Sequence, residues 1–88
     1  MNRLLRSEKI LTTAVGDDLL MLNIKAGLYH NLNPMGARIW ELLAVPTTLG
    51  EMVDQLVSEF AVSREDCAQQ VGFFVEELRG KGLLDNSD

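Results

Sequence analysis

The stretch from residue 27 to residue 40 constrains the fold most, because it specifies a strand that turns directly into a helix. Asn33 can cap this helix, since its side-chain oxygen can accept from a backbone N–H of the first turn. Pro34 takes the first helical position, where a missing N–H costs nothing and the fixed φ suits the helix. Leu32 and Ala37 have the spacing of a hydrophobic staple, which fixes the entry angle. The sequence therefore predicts a strand-to-helix corner at Asn33.

Three segments with β-forming composition lead up to this corner. They are residues 9–15, 19–24 and 28–31, separated by turn signals at residues 16–18 and 25–27. Because the turns are short, consecutive strands are expected to pair antiparallel, which places the third strand at an edge of the sheet.

Three helices are predicted after the corner. The first runs from residue 33 to about residue 44 and is ended by Pro46. Thr48 and Glu51 have the spacing of a capping box, in which each side chain satisfies a backbone donor of the second helix. That helix has an apolar stripe made of Leu49, Met52, Val53, Leu56, Val57 and Phe60.

The third helix is predicted to begin after Ser63, with acidic residues in its first turn. Its inner stripe is formed by Cys67, Val71, Phe74, Val75 and Leu78. Gly80 and Gly82 can end it, Leu83 and Leu84 are expected to fold back on the core, and residues 85–88 to extend into solvent. The predicted fold is a single α+β domain: a three-stranded antiparallel β-meander followed by three helices.

Charge and composition exclude several classes of protein. The formal net charge of the 88 residues is -5, and the eight basic residues are spread along the whole chain, so nucleic acid is an unsuitable partner. No apolar run reaches the length of a membrane span or a signal peptide. A single cysteine, Cys67, allows no internal disulfide, which suits the cytoplasm. We expect a cytoplasmic protein.

Candidate catalytic residues are few. His30 is the sole histidine, which excludes a His-pair metal motif. A Cys67/His30 nucleophilic pair is conceivable, but Cys67 falls on an inner stripe, where an inert buried thiol is the preferred interpretation. The glycines form no phosphate-binding pattern. We expect no enzymatic activity, no cofactor and no metal.

Two aromatic residues allow two interpretations each. Phe73 precedes Phe74 on the third helix, so the two rings cannot point into the same core. Phe73 either covers the rim of the core or is an exposed anchor for a partner. Tyr29 is either a core residue with its hydroxyl at the surface, the preferred interpretation, or part of a peptide groove.

Three separated motifs resemble the PqqD-like family, the small domains also called RiPP recognition elements. The motifs are Gly27-x-Tyr29-x-x-Leu32-Asn33-x-x-Gly36-x-x-Ile39-Trp40, Thr48-Leu49-x-Glu51-x-Val53 and Leu78-Arg79-x-Lys81-Gly82-Leu83-Leu84. The resemblance extends from about residue 15 to residue 84. It implies that residues 1–88 are one precursor-peptide recognition domain with an ordered core at about 8–84 and a winged-helix-like fold.

The resemblance also implies a function and a site. In that family the leader of a ribosomally made precursor peptide adds as a strand to the edge of the third strand and packs against the third helix, which is β-augmentation. By this resemblance the strand side of the groove is Leu28, Tyr29, His30 and Asn31, and the helix side is Gln70, Val71, Phe73, Phe74 and Glu77. Gln70 stands where family members often carry an Asp. If that acid contacts a basic leader residue, the resemblance implies a different leader selectivity for this chain.

The corner motif is most similar to the stand-alone leader-binding proteins of lasso-peptide biosynthesis, which pass the precursor to a leader peptidase and then a cyclase. A peptide chaperone for a radical-SAM enzyme, as in pyrroloquinoline quinone synthesis, is the alternative. A second alternative is a winged-helix DNA-binding regulator, against which the acidic third helix argues. An unpaired third strand could also form a homodimer.

Overall fold

A three-stranded antiparallel meander followed by three helices forms the body of the computed structural model, as predicted. The structure describes residues 3–7, 10–23 and 27–87. Its elements are β1 (Arg3–Arg6), β2 (Leu11–Val15), β3 (Asp18–Asn23), β4 (Leu28–Leu32), α1 (Pro34–Leu42), α2 (Leu49–Glu59), α3 (Arg64–Gly80) and β5 (Leu84–Ser87).

The meander has the strand order β2-β3-β4, with Met21 of β3 opposite Thr12 and His30. Gly16 connects β2 to β3 with a φ of 64°, a left-handed conformation that suits glycine. The predicted ends of the first two strands, Lys9 and Ile24, and the turn residues 25–26 lie outside the described residues. The side chain of Met21 is buried, so this face of the sheet covers the core.

A second sheet joins the two ends of the described chain, and the sequence did not predict it. β1 pairs antiparallel with β5, so residues 85–87 form a strand and the expectation that they extend into solvent is wrong. Leu4 is buried, and its backbone exchanges hydrogen bonds with Thr47 at 2.7 and 3.0 Å. Leu83 is buried and Leu84 packs against the core, as expected. β1 therefore connects the C-terminal strand to the loop between α1 and α2.

Side chains cap all three helices as the sequence predicts. The acceptors are Asn33 Oδ1 for the Gly36 N–H at 2.8 Å, Thr48 Oγ1 for the Glu51 N–H at 3.2 Å, and Ser63 Oγ for the Asp66 N–H at 3.1 Å. The capping box is only half formed. The Glu51 carboxylate instead pairs with Arg3 at 3.2 Å and accepts from the Thr47 hydroxyl at 3.4 Å.

The core lies between the inner face of the meander and the three helices. Its largest fully buried side chains are Trp40, Met21, Ile39, Leu43, Met52, Leu56, Leu78, Val71, Val75 and Cys67. The predicted inner stripes of α2 and α3 are mostly correct, but Leu49 is 43% exposed because it lies at the first position of α2.

An ion pair fixes α1 against the end of α2. Arg38 donates to both carboxylate oxygens of Glu59 at 2.8 Å, a bidentate geometry. This bond, together with a hydrogen bond from Gln55, lowers the pKa of Glu59 from 4.5 to about 2, and the same pairing raises the pKa of Arg38. The helix that follows the corner is thus attached at its middle as well as at its cap.

Candidate functional site

The β4 strand is an edge of the meander. Within the described residues it pairs with β3 on one side only, through the register Leu19↔Leu32 to Asn23↔Leu28. The backbone N–H and C=O groups on its other side are therefore available to a further strand. This confirms that the third strand of the meander lies at the edge.

Side chains of β4 alternate between the two faces of the sheet. His30 is half-buried and lies opposite Met21, and Leu32 is buried, so these two face the core. Tyr29 is 76% exposed and lies on the outer face with Asn31, which donates to Asp18 at 3.0 Å. The preferred interpretation of Tyr29 as a core residue is wrong, because strand alternation turns it outward. Leu28 contributes backbone to β4, and its side chain lies outside the described part of the structure.

The predicted helix side of the site divides between core and surface. Phe73 is 70% exposed, so its ring is not part of the core, whereas Phe74 is half-buried and packs against the core. Gln70 and Glu77 are exposed. Val71 has no exposed surface. It supports the helix from inside and cannot line a groove, because the inner stripe of α3 passes through it.

Three polar side chains connect β4 to the end of α3. The Lys81 ammonium lies 3.1 Å from His30 Nδ1 and 3.1 Å from Glu77 Oε1. His30 Nε2 lies 3.5 Å from the same Glu77 oxygen. We call these three residues the polar bridge. His30 and Glu77 were predicted site residues, and the structure brings them together, whereas Lys81 was missed because it follows the end of the helix.

Two cavities lie on either side of the polar bridge. The larger, of about 270 Å³, is lined by Asn33, Met35, Gly36, Ile39, Gln70, Phe73, Phe74 and Glu77. The smaller, of about 130 Å³, is lined by Ile10, Met21, Asn23, Tyr29, His30, Lys81 and Leu83. Together with the free edge of β4 they form what we call the groove. Its α1 wall was missed by the sequence-based prediction, although the corner motif placed those residues directly after β4.

A third concavity, of about 850 Å³, lies on the other flank of α3, between that helix, β1 and the start of α2. Phe73 borders both this concavity and the larger cavity of the groove. The Phe73 ring therefore lies on the exposed face of α3 between these two cavities, where a partner in either cavity can contact it.

The Cys67/His30 pair that the sequence allowed does not form. Cys67 is fully buried in the core, and this burial raises the pKa of its thiol against the smaller opposing effect of Arg64. His30 instead contacts Glu77 and Lys81. Among the described residues, no group of three or more His, Cys, Asp or Glu side chains is placed to hold a metal ion. No helix in the described ranges has the length and apolarity to cross a bilayer.

The fold and the groove define a small α+β domain in which one strand edge, beside an amphipathic helix, pairs with none of the described strands. Residues 18–84 match the family model described as coenzyme PQQ synthesis protein D, PqqD. The chain belongs to the PqqD family. No curated protein matches it.

Two solved structures share this fold across nearly their whole length. One is TbiB1 in complex with the TbiA(beta) leader peptide, with 28% identity, a TM-score of 0.81, and coverage of 92% of this chain and 94% of that chain. The other is lasso peptide synthetase B1 complexed with the leader peptide, with 22% identity, a TM-score of 0.80, and coverage of 93% and 96%. Both relatives thus carry a leader peptide in their structures.

Proposed function

We propose that this chain is a non-catalytic adaptor that binds the leader segment of a ribosomally synthesised precursor peptide. The single observation that carries the proposal is the unpaired edge of β4 beside the groove, in a fold shared with two leader-peptide complexes. A peptide that adds to β4 gains backbone hydrogen bonds, and the groove supplies pockets for alternate side chains.

The proposed peptide site consists of the edge of β4 and the α3 side of the groove. Its strand side is Leu28, Tyr29, His30 and Asn31, and its helix side is Gln70, Phe73, Phe74 and Glu77. Phe73 and Phe74 supply apolar surface, and Met35 of α1 adds to the same cavity. Val71 contributes to this site only by holding α3 in place.

The adaptor is proposed to present the bound precursor to a processing enzyme. The likeness to lasso peptide synthetase B1 favours a leader peptidase, followed by a cyclase, in a lasso-peptide pathway. The family description favours a second candidate, a peptide chaperone for a radical-SAM enzyme as in pyrroloquinoline quinone synthesis. The genes that neighbour this one distinguish the two: a short precursor beside a protease and a cyclase indicates the first pathway, and a short precursor beside a radical-SAM enzyme indicates the second.

Chemical-shift mapping tests the peptide site. A synthetic leader, taken from a short precursor found among the neighbouring genes, is titrated into ¹⁵N-labelled protein, with a scrambled peptide of equal composition as the control. We expect shifts in residues 28–32 and along α3. Shifts confined to α2, or equal shifts with the scrambled peptide, would refute the proposed site.

A homodimer through the β4 edge would use the same backbone groups as the peptide. Light scattering with and without the leader tests this arrangement. If β4 edges pair, the leader converts dimer to monomer as it saturates the site. A mass that stays monomeric throughout, or a dimer that survives saturation, excludes pairing through this edge.

A further inference from the structure

The meander has a second edge at β2. Within the described residues β2 pairs only with β3, in the register Leu11↔Leu22 to Val15↔Asp18. All five of its residues are exposed, so no other described element covers this strand. The backbone N–H and C=O groups of β2 that point away from β3 are therefore open to a further strand.

The composition of β2 leaves this edge unprotected. Edge strands usually carry charged residues or proline, which hinder pairing with another chain. β1 carries Arg3 and Arg6, and β5 carries Asp85. The segment Leu11–Val15 contains no charged residue and no proline. β4 is also without a formal charge, but its edge borders the groove that the leader is proposed to occupy.

The outer face of the meander is apolar up to the β2 edge. Leu11 lies opposite Leu22, and Leu22 lies opposite Tyr29, so these three side chains form a row across the sheet. Leu11 and Val15 are each 54% exposed. A strand added at β2 can extend this row, and the apolar surface that it covers favours association.

The sequence of β2 is complementary to a second copy of itself. When two copies pair antiparallel about a two-fold axis at Thr13, all five residues of each strand overlap. Leu11 then lies opposite Val15 of the second copy, which joins two apolar side chains on the outer face. Thr12 lies opposite Ala14 of the second copy on the inner face. Thr13 meets its own copy, and threonine pairs are favourable across antiparallel strands.

We propose that β2 pairs with β2 of a second copy, so that two meanders form one six-stranded sheet. The interface is isologous, because the same five residues of each chain form both halves of it. The two β4 edges remain at the outer ends of this sheet, so each chain keeps its own leader site. This inference goes beyond the proposed function and does not depend on it.

The dimer should be weak and should respond to salt. Pairing between two short strands is small beside the about 1,600 Å² of a standard stable interface. Each chain also carries a formal net charge of -5, so two copies repel one another. Added salt screens this repulsion, and association should therefore increase with ionic strength.

Charge complementation at Thr13 tests the two-fold arrangement. Thr13→Lys and Thr13→Glu are each measured alone and as an equimolar mixture, by sedimentation velocity from about 10 μM to about 1 mM. Thr13 is exposed, so neither substitution should impair folding, which thermal unfolding checks. Gln69→Lys and Gln69→Glu are the matched controls, because they change the net charge equally at an exposed position of α3.

The mass of the wild type should rise with concentration toward twice the 9.8 kDa of the monomer. Each Thr13 variant alone should associate about tenfold more weakly, because like charges then lie opposite each other across the axis. The mixture should recover at least the association of the wild type, because lysine then faces glutamate. The Gln69 variants, alone or mixed, should associate as the wild type does.

Three results would overturn the inference: a wild type that is monomeric at every concentration, Thr13 variants that associate like the wild type, or a mixture that associates no better than its components. Hydrogen exchange needs no substitution and serves if a variant does not fold. Exchange of the β2 amides that point away from β3 should slow as the concentration of the wild type rises. Rates independent of concentration would also overturn the inference.

A leader titration separates this inference from the proposed function. In a dimer formed through β2, one leader should bind each chain without changing the mass of the dimer. A dimer that binds no leader would contradict the proposed function and leave the β2 pairing intact. A monomer in which the leader shifts the signals of residues 11–15 would assign the β2 edge to the peptide and overturn the pairing.

Discussion

Replacing Phe73 by alanine should remove binding affinity without removing stability. A phenylalanine side chain has about 200 Å² of surface to bury, and with 70% exposure about 140 Å² of Phe73 is still open to a partner. If a bound leader covers half of that area, burial at about 25 cal/mol/Å² contributes about 1.7 kcal/mol. The dissociation constant of Phe73→Ala should therefore rise about 20-fold. Its free energy of unfolding should change by less than about 0.5 kcal/mol, as at other surface positions.

Phe74→Ala is the matched control, because it removes the same ring from the next position of the same helix. Phe74 packs against the core, so its loss should cost about 2 kcal/mol of stability, less than the loss of a fully buried phenylalanine. Stability is measured by urea unfolding followed by circular dichroism, and affinity by calorimetry with a synthetic leader. A loss of more than 1 kcal/mol in Phe73→Ala, or an affinity within twofold of wild type, would refute the assignment of Phe73 as an exposed anchor.

Three further predictions concern the core and the Arg38–Glu59 ion pair that holds α1 against α2. Val71→Asp buries a charge in a fully enclosed position, so it should lower the free energy of unfolding by at least about 3 kcal/mol and abolish the cooperative thermal transition, rather than weaken leader binding alone. A variant that stays folded would contradict the core position of Val71. Glu59→Gln should lose less stability than the wild type between about pH 4.5 and pH 2. The pKa of Glu59 is lowered to about 2 in the folded state, so its ionised form stabilises the protein above pH 4.5, and this contribution disappears as Glu59 is protonated. If the free energy of unfolding, measured in urea, falls equally in both proteins over this range, the Arg38 pair does not stabilise the fold. Cys67 should react with a thiol reagent only after denaturation, since the thiol is buried and its pKa is raised; rapid labelling of the native protein would show that this part of the core opens.

Local signals predicted most of the fold. The caps Asn33, Thr48 and Ser63 form as the sequence indicates, because a cap depends only on residues within one helical turn. The meander could be predicted for the same reason, because the short turns between its strands are also local features of the sequence. The pairing of β1 with β5 has no such signal, since the paired residues lie about eighty positions apart and neither strand alternates clearly. Long-range pairing between short polar strands is decided by packing, here around the buried side chain of Leu4.

The site was predicted less completely than the fold. Strand alternation alone would have placed Tyr29 outside and His30 inside, because Leu32, on the same face as His30, was expected to pack against the helix. The resemblance named Val71 as a groove residue, although its position on the inner stripe of α3 already indicated burial. Lys81 could be found only from the structure, since its role depends on how the end of α3 approaches β4.

The strand-to-helix corner at Asn33 also forms part of the groove. Asn33 caps α1 and also lines the larger cavity, so one residue both starts the helix and borders the groove. Gly36 lines the same cavity, and a Cβ there would lie 3.3 Å from Asn33 Oδ1 and 3.4 Å from Leu32 Cβ. Any side chain at this position would push against the cap and narrow the cavity at once. The geometry that directs the chain from β4 into α1 is therefore the same geometry that keeps one end of the groove open, so a single short stretch constrains both the fold and the shape of the groove.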